Sequence, residues 1–138
     1  QYPNLNRDLL ITGAICHAIG KVAELSDFPA NDYTDEGQLI GHIVMGVEMI
    51  DEKLRDINGF PKKRANELRH LILSHHGEFE FGSPKKPALI EAIALNFADN
   101  TDAKLETMSE LLASAVPGEG SKWLGYSKLL DSNIRPTD

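Results

Sequence analysis

Residues 68–77 read Leu68-Arg69-His70-Leu71-Ile72-Leu73-Ser74-His75-His76-Gly77, an apolar helical run that closes on two adjacent histidines and a glycine. Leu68, Leu71 and Ile72 recur at three- and four-residue spacing, which places them on one helical face. Pro61 suits the first turn of such a helix and Gly77 its end. Adjacent helical residues point about 100° apart, so His75 and His76 would ordinarily face different targets. A helix end relaxes that constraint, and its partial negative charge favours a cation. The pattern predicts a helix from about Pro61 to Gly77 whose end either turns both imidazoles toward one cation or leaves two solvent-facing histidines in its cap.

Helical periodicity continues in both directions and no stretch alternates with period two, so the chain reads as all-α. Upstream, a first helix is predicted from about Asn6 to Ile19, with Leu9, Leu10, Ala14 and Ile15 inward and Gly20 as its stop. Residues 26–35, rich in Pro, Asp and Asn, read as a loop. A second helix is predicted over 36–57, burying Leu39, Ile40, Ile43, Val47, Ile50 and Leu54. Downstream of a loop at 78–84, a fourth helix is predicted over 87–113. The tail from Pro117 to Asp138 carries Trp123, Tyr126, Leu129 and Leu130, which suggests a short helix docked on the core.

At 138 residues the chain is sized for a single domain spanning 1–138. The first helix opens within six residues of Gln1, so the chain is expected to be the latter part of a longer protein. No apolar run is long enough to cross a bilayer and no signal peptide is visible. One cysteine, Cys16, excludes an internal disulfide and makes the cytoplasm the expected location. The net charge of −7 excludes broad electrostatic attachment to nucleic acid, which draws its affinity from Lys and Arg on phosphates. Any such contact must be local, at Lys62-Lys63-Arg64 or at Lys85-Lys86, and each of these also reads as plain solvated surface.

Four histidines stand at or near helix boundaries: His17, His42, His75 and His76. Converging imidazoles with carboxylate oxygens make a site for a divalent ion. Taken singly, His17 or His42 reads first as a hydrogen-bonded, partly buried residue. On the fourth helix Asn96, Asp99 and Asp102 recur every three residues beside Ile93, Leu95 and Phe97. That face reads either as carboxylates in need of a partner or as a solvated stripe paired with Lys104.

The order of these segments changes the reading. His17-Ala18-Ile19-Gly20-Lys21, Gly41-His42, Ser74-His75-His76-Gly77 and the run from Ala98 to Lys104 together resemble the HD superfamily, with its signature H…HD…D and extra histidines in the two-metal subgroup. GQLIGHI (37–43), LILSHHGEFEFGSPKKP (71–87), ADNTDAK (98–104) and Trp123-Leu124-Gly125-Tyr126 look like YhaM-type 3′-to-5′ exoribonucleases. The resemblance implies an HD-domain helical bundle holding two divalent ions, among which Mn, Mg, Fe, Ni and Zn are not distinguished. It implies one metal on His17 and Asp99 with a histidine from an earlier helix, and a second on His42, His75 and His76. Lys21 matches the family lysine that contacts phosphate and, with Asp99, is the implied catalytic residue. Asp102 would sit at the edge of the site, and Lys85 would join Lys21 in binding substrate.

Two departures stand out. The family's HD doublet reads His17-Ala18 here, and a methyl group cannot replace the aspartate that bridges both metals. No histidine precedes His17, so the family's first ligand is missing from this chain. The reading is a phosphodiester hydrolase acting at the 3′ end of single-stranded RNA or DNA, impaired in this form, with a homo-oligomer as a further option. Its rivals are a phosphohydrolase of nucleotides or cyclic dinucleotides, and a non-catalytic domain that binds a metal or nucleotide or mediates oligomerisation. Asp99 is expected to share a cavity with His17, and His42, His75 and His76 are expected to converge.

Overall fold

The structure, a computed structural model, describes residues 2–114 and 122–137. In chain order these form α1 (Arg7–Cys16), α2 (Lys21–Glu24), α3 (Asp35–Leu39), α4 (His42–Asp56), α5 (Lys62–Ser74), a 3₁₀ turn (Phe79–Phe81), α6 (Ile90–Ser114), β1 (Gly125–Ser127) and β2 (Ser132–Ile134). Helices dominate, as the periodicity predicts. The chain divides into two compact units, Gln1–Phe97 and Ala98–Asp138, and α6 runs through the boundary.

In the first unit α5 is the central helix, packed against α1 and α4, while α2 lies against α3 and α4. Leu71, Ala92 and Leu95 form its core cluster, with Leu9, Leu10 and Leu89 packed around them. Ile43, Met45, Ala65, Leu68 and Ile72 are also buried. The expected third helix is present but ends at Ser74 with His75 as its cap, short of Gly77, and Arg69 on α5 reaches Asp51 on α4 at 2.6 Å. The Asn6 side chain caps α1 by accepting from the Leu9 amide at 3.0 Å, and the buried Glu91 carboxylate accepts from the Asn6 amide at 2.6 Å.

Several expectations are corrected. The first helix stops at Cys16 rather than Ile19, and its inward face runs through Leu9, Leu10 and the buried Gly13. Ala14 and Ile15 face out, Ile15 being 73% exposed. The cause is close packing on α5: a Cβ at Gly13 would stand 2.4 Å from the Leu71 side chain, so that face, and not the one beside it, meets the core.

The predicted second helix is two helices. Gly41 adopts φ 80°, a conformation that side-chain-bearing residues rarely take, and the chain turns there. Leu39 and Ile40 consequently precede the turn and are exposed, Leu39 by 85%. The turn makes His42 the first residue of α4. Between α1 and α2 the backbone of residues 17–20 presses on that same helix start. A Cβ at Gly20 would lie 2.0 Å from the His42 carbonyl oxygen, so only glycine permits the approach. The fourth predicted helix opens at Ile90, not Pro87.

In the second unit the tail forms a hairpin instead of the expected docked helix, with Gly125 paired to Ile134, Tyr126 to Asn133 and Ser127 to Ser132. Gly125 at φ 99° and Asp131 at φ 48° are incompatible with a helix. The Tyr126 hydroxyl donates to the Asp131 carboxylate across the turn, and the Leu124 amide donates to the Ile134 carbonyl at 2.9 Å. Ser127 and Ile134 are buried, whereas Leu129 is 82% exposed. The expected start of this tail, at Pro117, lies outside the described residues.

Candidate metal centre

Two helices end on histidine. His17 caps α1 and His75 caps α5, each with right-handed helical backbone angles. In both, Nδ1 bonds the carbonyl three residues back: Ala14 at 2.8 Å and Ile72 at 2.7 Å. His76 follows the same rule with a different partner, its Nδ1 bonding the Phe81 carbonyl at 2.8 Å. A carbonyl oxygen only accepts, so Nδ1 carries a proton in all three rings. Gly77, at φ 83°, turns the chain after His76, and the Asn96 side chain donates to the His75 carbonyl at 2.7 Å.

His42 is held from the other side. Glu24 Oε1 accepts both the His42 amide, at 2.9 Å, and His42 Nδ1, at 3.1 Å. Burial on its own raises the Glu24 carboxyl, but the two His42 donors and the charges of His42 and Lys21 outweigh it and hold the group below the ordinary carboxylate value. Glu24 is therefore an anion to which His42 Nδ1 donates, which leaves Nε2 as the ring nitrogen turned away from it. This is the arrangement that orients a metal-binding imidazole: one ring nitrogen on an oxygen, the other turned to the ion.

The four rings converge. Ring centroids lie 4.2 Å apart for His75 and His76, 5.0 Å for His17 and His75, 5.2 Å for His42 and His76, and 5.6 Å for His42 and His75. One ligand atom from each of His42, His75 and His76 falls within 4.8 Å of the others. Nitrogens about 2.1 Å from a shared tetrahedral ion stand about 3.4 Å apart, so binding would draw the set together by up to about 1.4 Å. His42 Nε2 is buried and has no hydrogen-bond partner among the described residues. A buried ring nitrogen left unmatched is costly, and in the neutral ring its lone pair would bind a cation. The residues present therefore fit a divalent ion.

Lys21 is exposed and opens α2 after the 17–20 turn. Ala18 lies in that turn, half-buried. Lys85 is exposed on the loop after the 3₁₀ turn. Asp99 is half-buried and Asp102 exposed, both on the part of α6 that belongs to the second unit. Sequence reasoning missed Glu24, whose signal was a lone acid in the apolar run Val22-Ala23-Glu24-Leu25, and gave Asn96 no contact of its own. It also passed over His70, whose Nε2 accepts the Ala88 amide at 2.9 Å.

The model of the HD domain family matches residues 1–104, three quarters of the chain, including the four converging histidines. The chain belongs to the HD domain family. This HD domain is 47% identical over 118 residues to the 3′-5′ exoribonuclease YhaM of Bacillus pumilus (strain SAFR-032), covering 86% of the chain and 37% of that protein. It is 45% identical over 118 residues to the 3′-5′ exoribonuclease YhaM of Bacillus subtilis (strain 168), with the same coverage. To the protein of that name from Listeria monocytogenes serotype 4b (strain F2365) it is 46% identical over 121 residues, covering 88% of the chain and 38% of that protein. The HD domain thus spans little more than a third of the length of these relatives. No solved structure matches it. Among the described residues no helix is long and apolar enough to cross a membrane.

Proposed function

We propose that residues 1–138 form one HD-type domain, the metal-dependent hydrolase part of a 3′-to-5′ exoribonuclease, acting at the 3′ end of single-stranded RNA or DNA and impaired in this form. The observation that carries the proposal is the convergence of four imidazoles whose Nδ1 positions are each engaged by oxygen. The names of the relatives supply the substrate class. In this reading His42, His75 and His76 hold one divalent ion through Nε2. His17 and Asp99 belong to a second, weaker site, and Asp102 is a hydrogen-bonding group at its edge. Divalent ions held by these residues would supply polarisation of a phosphate oxygen and a lowered pKa of bound water. Glu24 fixes the pitch of the His42 ring. Lys21, exposed at the start of α2, stabilises negative charge on the phosphate as the P–O bond breaks, and Lys85 contacts the substrate backbone. Ala18 offers no oxygen, so the second site lacks the ligand that would tie it to the first.

The test compares the chain with Ala18→Asp made in a version extended upstream to carry a histidine ahead of Gln1. With manganese present, the restored protein should shorten 3′-terminal single-stranded RNA at least about 100-fold faster. Equal rates would overturn the proposal. Mononucleotides and cyclic dinucleotides in the same panel test the rival phosphohydrolase reading. The Ala18 methyl also favours a non-catalytic, metal-binding role for this form. Stoichiometric metal without turnover on any substrate, even in the restored protein, would establish that role.

A further inference from the structure

The 3₁₀ turn that follows the histidine pair carries two large aromatic side chains that pack on little. Phe79 is 62% and Phe81 63% exposed. Single exposed apolar residues are ordinary on protein surfaces. These two share one short turn, and the turn is tied to the metal centre: the Phe81 carbonyl accepts from Nδ1 of His76 at 2.8 Å. A three-residue repeat sets their side chains about 120° apart, so they present two separate aromatic faces instead of one stack.

Cationic groups stand beside them. The Lys86 ammonium lies 5.5 Å from the centre of the Phe79 ring and is also paired with the Glu78 carboxylate, while Lys85 is exposed next to it. The loop is pinned behind these residues, the Lys85 amide bonding the Leu73 carbonyl at 3.4 Å and the Ser83 amide the Glu78 carbonyl at 3.3 Å. Exposed Glu80 separates the two rings and Glu78 engages Lys86, so Lys85 is the cation placed for a phosphate, while the rings offer faces on which the bases of a single strand stack. The overall charge of −7 makes such a local platform more telling, because the rest of the surface offers a polyanion little.

We infer that Phe79 and Phe81, with Lys85 beside them, form a base-stacking platform on the rim of the histidine cluster that grips the 3′-terminal nucleotides of single-stranded RNA. The inference rests on the substrate class proposed above and adds residues to it. Stacking is indifferent to base identity, so the platform distinguishes bases from no bases without reading sequence. Lys85 contacts phosphate and carries no base information.

Two 5′-labelled RNAs of about ten nucleotides, with phosphorothioate linkages against hydrolysis, provide the test. One is intact and the other is abasic at its 3′-terminal positions. Fluorescence anisotropy should show the chain binding the intact RNA about tenfold more tightly. Phe79→Ala with Phe81→Ala should reduce that preference to about twofold or less, and Phe79→Tyr with Phe81→Tyr should retain it. The single alanine variants give graded losses and carry the test if the double variant does not fold. Lys85→Gln should weaken both RNAs alike and lower the slope of log affinity against log salt by about one. An undiminished preference in the double alanine variant overturns the platform and leaves the proposed substrate standing. Failure of the unaltered chain to bind either RNA overturns both. Self-association of the chain that the alanine variant abolishes, with RNA binding unchanged, assigns the aromatic faces to a second copy and also overturns the platform.

Discussion

The ends of α1 and α5 use the same local device to opposite effect. Each helix finishes on a histidine whose Nδ1 is bonded to the carbonyl three residues back. At the α5 end the next residue is a second histidine, its own Nδ1 held by Phe81, and His75 is 1% exposed. At the α1 end the next residue is Ala18, and His17 is only half-buried. The backbone therefore orients both rings in the same way, with Nδ1 on a carbonyl oxygen. What separates them is one side chain: an imidazole follows at one end, a methyl at the other. Capping geometry positions a ligand, but the neighbouring donors decide whether an ion stays.

The sharpest break in the comparison is between His75→Gln and His17→Gln. Calorimetric titration with manganese should show at least about a 100-fold loss of affinity for the first and about tenfold or less for the second. Equal losses would mean the two ends contribute alike. Next in size is Gly20→Ala, which drives a methyl into the His42 backbone where no flexible side chain can yield. Urea unfolding should register a destabilisation of about 3 kcal/mol. A change near zero would show that the α1 end is free to move away from α4. Glu24→Gln keeps an acceptor at the His42 ring but removes the charge. Metal affinity should fall about tenfold, and less if His42 is oriented by packing alone.

The smallest effect lies away from both ends. Burial, and then the charge of Lys85, hold His70 below the ordinary imidazole value of 6.5. The folded state declines a proton that the unfolded chain accepts, so this contribution is complete above the unfolded value and is lost as pH falls through it toward the folded one. Between pH 7.5 and 5.5 the unaltered chain should lose on the order of 2 °C more in Tm than His70→Gln. Parallel losses would show that the Ala88 contact does not depend on a neutral ring.

What was legible in the sequence follows from where a local signal coincides with a tertiary one. The α5 end could be read because apolar spacing, two histidines and Gly77 all agree. The join of α3 and α4 was misread because Leu39, Ile40, Ile43 and Val47 keep an unbroken helical period across Gly41, and periodicity does not report a positive φ. The tail was misread for a related reason. Trp123, Tyr126, Leu129 and Leu130 mimic a helical stripe, while Gly125 and Asp131 impose a hairpin. Glu24 could not be found from spacing, because its partner lies 18 residues away across a loop. The histidine order was readable, whereas the oxygens that orient the rings are set by packing.

One oxygen of Glu24 accepts both the first amide of α4 and the ring of His42. The start of a helix and the aim of a ligand thus share a single degree of freedom. A sequence change that shifts α4 by a fraction of a turn also swings the imbidazole away from its neighbours, and one that releases the ring also frays the helix. Variation in this region is expected to be correlated: substitutions at residue 24 should be tolerated only alongside compensating changes at residues 41 and 42, a coupling that a deep mutational scan of paired variants would expose as strong epistasis.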